Sequence, residues 1–106
     1  MKKWNLQYHE LVKADIEKLP IRLLASYYAL TERMLERGPN LNEPHTKSMG
    51  EGLFELRVKG EEGIARVFYC SVSGNEIWML HSFIKKTQKT PAKELKIARI
   101  RLKEIK

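Results

Sequence analysis

Leu53-Phe-Glu-Leu-Arg-Val-Lys59, Ile64-Ala-Arg-Val-Phe-Tyr-Cys-Ser-Val72 and Glu76-Ile-Trp-Met-Leu-His-Ser-Phe-Ile84 follow one another with only Gly60-Glu-Glu-Gly63 and Ser73-Gly-Asn75 between them. Short runs rich in β-branched and aromatic residues, broken by glycine-bearing turns, predict three strands joined by two hairpins. Leu53–Lys59 alternates, so Phe54, Leu56 and Val58 fall on one face and Glu55, Arg57 and Lys59 on the other. Glu76–Ile84 is almost wholly apolar, the composition of a central strand covered on both faces. A sheet of this kind needs helices to cover it, and the flanking sequence supplies them.

Upstream, Trp4-Asn-Leu-Gln-Tyr8 predicts a short first strand. From His9 to Leu19 the apolar residues Leu11, Val12, Ile16 and Leu19 recur at helical spacing. Pro20 either ends that helix or opens the next at its first position. Ile21, Leu24, Ala25, Tyr28 and Leu35 continue a helical stripe to Arg37, which Gly38-Pro39 stops. Asn40–Gly52 reads as a connecting loop, long enough to be functional or mobile. Downstream, Thr90 suits a helix cap before Pro91, and Leu95, Ala98, Leu102 and Ile105 form one apolar stripe. The expected order is β-α-α-β-β-β-α. That is a single α+β domain over residues 1–106, with an antiparallel sheet, two N-terminal helices on one face and a C-terminal helix.

A chain of 106 residues has room for one core, and its 42% hydrophobic and 31% charged composition is that of a soluble globular domain. No apolar run approaches the ~20 residues that span a bilayer. Met1-Lys-Lys-Trp-Asn lacks the apolar stretch of a signal peptide. Cys70, the one cysteine, has no internal disulfide partner and sits in an apolar strand. A cytoplasmic protein without membrane contact is expected. The net charge of +7 is unevenly placed: residues 77–106 carry nine Lys/Arg against Glu94 and Glu104 alone. A basic end on a folded domain implies an anionic partner, most often nucleic acid, against the plainer reading of a solvated lysine-rich helix.

Beyond Ile84 the apolar strand gives way to Lys85-Lys-Thr-Gln-Lys-Thr-Pro91, a cluster of cations and amides at a strand end. Arg57 and Arg66 lie on adjacent strands, and a hairpin of this length can bring their side chains together on one face. Two guanidiniums there form a fork suited to a phosphodiester. The alternative is that each pairs with Glu55 or another surface acid, in a screened bridge worth at most ~1 kcal/mol. No His/Cys/Asp/Glu cluster has metal-ligand spacing and no Gly-rich phosphate loop occurs, so neither metal nor cofactor is called for.

Pro44-His-Thr-Lys47, Gly52-Leu-Phe-Glu-Leu-Arg57, Arg66-Val-Phe-Tyr69 and Phe83-Ile-Lys-Lys-Thr-Gln-Lys-Thr-Pro91, in that order and spacing, resemble the Gp49-like (HigB-type) branch of the RelE/ParE toxin superfamily. The resemblance runs from Leu6 onward. It implies a RelE-like fold and the toxin of a type II toxin–antitoxin module, a metal-independent endoribonuclease that cuts mRNA on the ribosome. It also implies a concave RNA-binding face whose basic residues match Arg57, Arg66 and Lys85 or Lys86 as catalytic candidates. Lys59 matches that face as an RNA-binding candidate, and His81, Gln88 and Lys89, in and just after the last strand, are RNA-binding candidates beside it.

The implied reaction is attack of a ribose 2′-OH on the adjacent phosphate. It needs a proton acceptor, charge stabilisation on the phosphorane and a proton for the leaving oxygen. Arginine does not deprotonate in proteins, so Arg57 and Arg66 fit charge stabilisation. A lysine whose pKa is depressed by neighbouring cations can accept a proton, and Lys85-Lys86 beside Lys89 is such a cluster. His81 is the rival for acid–base work, although its apolar strand also suits a satisfied core histidine. His45 in the long loop and His9 before the first helix have structural readings. The terminal helix has no tyrosine to serve as acid or base, as it does in some relatives.

The implied partners are the ribosome, mRNA and a cognate antitoxin, usually a small helix-turn-helix protein, in a hetero-oligomer. Lys93, Lys96, Arg99, Arg101, Lys103 and Lys106 offer that antitoxin, or ribosomal RNA, an exposed cationic surface. The competing function is a non-catalytic basic RNA- or ribosome-binding module.

Overall fold

The computed structural model describes residues 3–86 and 89–106. The elements are β1 (Asn5–Tyr8), α1 (Lys13–Glu17), α2 (Ile21–Arg37), β2 (Thr46–Gly50), β3 (Leu53–Gly60), β4 (Gly63–Val72), β5 (Glu76–Lys85) and α3 (Ala92–Ile105). They build one five-stranded sheet in the order β1-β5-β4-β3-β2. The hairpin strands β3, β4 and β5 pair antiparallel at the positions where the glycine turns place them. β5 lies between β1 and β4, as its apolar composition requires.

The sheet is mixed rather than purely antiparallel, because β1 runs parallel to β5, with Leu6 opposite Ile77 and Tyr8 opposite Met79. The two helices between β1 and β2 carry the chain across the sheet from one edge to the other, and the three hairpin-linked strands then lead back to β5 beside β1. His9 still donates its backbone N–H to the Met79 carbonyl at 2.9 Å, which extends the strand by one residue. The first helix therefore starts late. α1 spans Lys13–Glu17 instead of His9–Leu19, and Leu11 is left exposed. Pro20 opens α2 as its N-cap, and Gly38 closes it with a positive φ of 105° that favours glycine.

The phase of α2 corrects the expected stripe. Leu23, Tyr27, Leu30 and Met34 are buried, while Ile21 is 79% and Tyr28 50% exposed. The two stripes differ by one residue, a rotation of about 100°. Both are apolar, and the inner one wins a further contact, a 2.9 Å hydrogen bond from the Tyr27 hydroxyl to that of Tyr8.

The expected loop Asn40–Gly52 contains a strand. β2 pairs antiparallel with β3, Thr46 opposite Leu56, with a register shift between Ser48 and Gly50. Its sequence is polar, as suits an exposed edge. Thr46 anchors it: its buried hydroxyl donates to Asn40 Oδ1 at 3.0 Å and accepts from Leu41 N–H at 3.1 Å.

Two cores result. On one face α1 and α2 pack Val12, Ile16, Leu23, Tyr27 and Met34 against Leu56, Val58, Val67, Tyr69, Ile77 and Met79. On the other, Ala98 and Leu102 of α3 cover Leu53, Phe68, Cys70 and Leu80. Burial pushes the Cys70 thiol pKa up, so it behaves as core. Among the described residues no helix is long and apolar enough to cross a membrane.

Candidate nucleic-acid interface

Strand alternation puts Glu55, Arg57 and Lys59 on the face that α3 partly covers, and register fixes their neighbours. Arg57 stands opposite Arg66, and Arg66 opposite Phe83. Lys59 stands opposite Ile64, and Ile64 opposite Lys85. On the other side, Glu55 faces Phe68, which faces His81. Two of these cross-strand rows hold Arg57, Arg66, Lys59 and Lys85, and the third holds Glu55 and His81. α3 seals the sheet toward Leu53 and Cys70 and reaches Phe83 at the end of the arginine row, while Arg57, Arg66, Lys59 and Lys85 are not part of that apolar cluster.

Two guanidiniums on directly paired positions repel each other, and Glu55 lets them coexist. Its carboxylate is 2% exposed. Oε1 accepts from Arg66 Nη1 at 3.2 Å, and Arg57 Nε lies 3.5 Å from the same oxygen. Oε2 accepts from the Thr90 hydroxyl at 2.9 Å, which ties the segment before α3 to the sheet. Glu55 is thus a buried acid at the centre of the basic site, and not the surface partner in a screened bridge. One carboxylate does not neutralise two guanidiniums. Arg57 also sees Glu43 at 3.6 Å, but that acid is largely exposed. The Nε atoms of Arg57 and Arg66 are both buried without a hydrogen-bond partner among the described residues. Arg57 Nε keeps its 3.5 Å ion pair with Glu55, which is too long for a hydrogen bond.

Burial lowers the Arg66 pKa, with Glu55 opposing that effect and Arg57 adding to it. The guanidinium stays charged, since arginine does not deprotonate in proteins. Lys85 is held below the ordinary lysine range, first by partial desolvation, then by Arg66, Arg57 and Lys47 against the opposing Glu55. Lys85 belongs to the row beside the arginines, whereas Lys86 follows the end of β5 and is exposed. Lys59 and Lys89 are also exposed. Gln88 lies outside the described residues.

His81 is not on the open surface. Its Nε2 is 2.7 Å from Glu94 Oε1, and its Nδ1 is 3.4 Å from Arg101 Nη1. The ring stacks on Phe83 with centroids 6.1 Å apart. It pins α3 to β5 and buttresses the aromatic that ends the arginine row. His9 plays the matching part at the far end of α3, with Nε2 2.7 Å from Glu104. Arg101 and Arg99 are likewise anchors and not free surface cations. They donate to the carbonyls of Leu80 and Met49, each at 2.8 Å. Lys93, Lys96, Lys103 and Lys106 are exposed, as expected.

Glu55, Thr90 and Phe83 are the members that sequence reasoning did not assign to the site. Glu55 and Phe83 share its face by alternation and register alone.

Residues 14–103 match the family described as Phage derived protein Gp49-like (DUF891). The chain belongs to this family. Among solved structures it is similar to the toxin–antitoxin complex RelBE2 from Mycobacterium tuberculosis, with a TM-score of 0.58 and 21% identity. The similarity covers 78% of this chain and 99% of that one. At this identity the likeness establishes a shared RelE-type fold. No curated protein matches.

Proposed function

We propose that this Gp49-like protein is the toxin of a type II toxin–antitoxin system and an endoribonuclease acting on mRNA in the ribosome. The observation that carries the reading is the Arg57–Arg66 pair, cross-strand neighbours that share one buried carboxylate, Glu55. A phosphodiester supplies the negative charge that one carboxylate leaves unmatched, and charge-assisted bonds to its oxygens are the strong ones. Arg57 and Arg66 hold the scissile phosphate and stabilise the charge that builds on it. Lys85, one row away and with a lowered pKa, takes the proton from the attacking 2′-OH. Lys59, Lys86 and Lys89 hold flanking phosphates. The 5′ oxygen leaves with a proton from the ribosomal site, which also orders the message.

Membership of the family and likeness to a toxin solved with its antitoxin support an antitoxin partner. The exposed cations of α3 are the surface that such a partner covers, by charge complementarity.

The test is to incubate the protein with ribosomes translating a defined message, with naked message as control, and to map new 5′ ends. Cleavage on ribosomes, leaving 5′-hydroxyl ends and 2′,3′-cyclic phosphates, is expected. A folded protein that sediments with ribosomes and cuts nothing would replace this reading with the non-catalytic binding module.

A further inference from the structure

A concave feature adjoins the arginine row on its other side. β2 pairs with β3 only as far as Thr46 opposite Leu56. Beyond that point the edge of β3 faces α2 and the turn before β2. A cleft of about 370 Å³ opens there. Ser26, Ala29 and Leu30 of α2 form one wall, Pro44 and His45 the other, and Arg57 and Lys59 border it from β3. The turn is held in place, since the His45 carbonyl accepts from the Arg57 N–H at 2.8 Å and the His45 N–H donates to Asn42 at 3.0 Å.

We propose that this cleft is a nucleobase subsite. It receives the base of a single-stranded RNA nucleotide next to the phosphate held by Arg57 and Arg66. The proposal rests on RNA being the ligand of the arginine pair. Arg57 borders both sites, so a nucleotide whose phosphate meets its guanidinium has its base within reach of the cleft. The cleft combines an apolar surface (Ala29, Leu30, Pro44) with a few polar groups (the Ser26 hydroxyl and the His45 imidazole). Small-molecule sites have this composition, and the volume lies near the low end of their ~300–1,000 Å³ range. Single-stranded RNA is read in this way, by apolar or aromatic contact with the base face and hydrogen bonds to the base edge. Lys59 and Arg57 at the border favour a nucleotide over a neutral ligand of the same shape. Because the walls are pinned before binding, little ordering cost is added.

The test is an amide NMR titration of the full chain with two strands of six nucleotides, both 2′-O-methylated to prevent cleavage. One carries bases and the other is abasic. The base-bearing strand is expected to shift Ser26, Ala29, Leu30 and His45 together with Arg57 and Arg66. The abasic strand is expected to shift the arginines alone. Ala29→Phe, at an exposed helix position, fills the cleft. It should weaken the base-bearing strand roughly tenfold, the size of one lost base contact, and leave abasic binding unchanged.

Shifts at the arginines with none in the cleft would overturn the subsite and leave the proposed function standing. Cleft shifts of equal size with both strands would overturn the assignment to a base. Silence at both places would remove the RNA reading and the subsite together.

Discussion

Replacing the Glu55 carboxylate by an amide separates what holds the site from what binds through it. Glu55→Gln keeps the shape but leaves Arg66 beside Arg57 with no anion between them. Loss of charge-assisted hydrogen bonds at a buried group should cost roughly 1–3 kcal/mol of stability, measured by chemical denaturation. RNA affinity should not fall, because the site gains positive charge, while cleavage should fall as the guanidiniums lose their alignment. Equal losses of binding and cleavage would show that Glu55 acts only through stability.

Lys85 gives a pH prediction. Its pKa is lowered, so the free amine appears at lower pH than for an ordinary lysine. The cleavage rate should rise with pH and level off above that lowered value, and Lys85→Arg should abolish the rise. A lysine with a depressed pKa favours folding more as pH rises through its folded pKa, by little here because the group is solvated. A flat pH–rate profile in the wild type would remove Lys85 as the proton acceptor.

Among the elements, α3 buries only Ala98 and Leu102 fully, so polar contacts do much of the holding. Arg101 donates to the Leu80 carbonyl and lies against His81, whose other nitrogen meets Glu94. Arg101→Ala should cost about 1.5–3 kcal/mol, as for a lost bond from a charged donor, and should speed amide exchange across α3 before the rest of the fold. Exchange that accelerates uniformly would mean α3 has no separate opening.

The elements also show what the sequence could and could not reveal. β3, β4 and β5 were legible because apolar alternation and glycine turns are local signals, and the last helix because its stripe has one clear phase. β2 was not, since a polar edge strand is held by backbone pairing and by the Thr46 hydroxyl. The buried face of α2 was missed because Leu24–Tyr28 and Leu23–Tyr27 are equally apolar; Leu30 and Met34 continue the inner stripe, and Tyr27 adds a bond to the Tyr8 hydroxyl beyond the helix. Arg57 and Arg66 were legible as a pair from hairpin length. The buried state of Glu55 was not, because an acid in an alternating strand looks the same in sequence whether it faces water or a guanidinium. Parallel pairing of β1 with β5 joins residues some 70 positions apart and leaves no local trace.

For the whole molecule, the charge of +7 is partly internal, since Arg66, Arg99 and Arg101 are committed to protein acceptors. Binding to RNA should still weaken as salt rises. Lys59→Ala should reduce the magnitude of the salt slope by about 1 and weaken different sequences alike, read from affinities at several salt concentrations. A slope unchanged by Lys59→Ala would place the phosphate track elsewhere.

What stands or falls first is the proposed role of the Arg57–Arg66 row as a phosphate site for cleavage. It is tested most directly by the single-turnover cleavage rate on ribosomes holding a defined codon, wild type against Arg66→Ala. A loss of roughly 10²–10³-fold is expected, the size of one removed charge-stabilising donor, with ribosome binding kept and the circular dichroism spectrum native. A folded Arg66→Ala protein that cuts at the wild-type rate would contradict it.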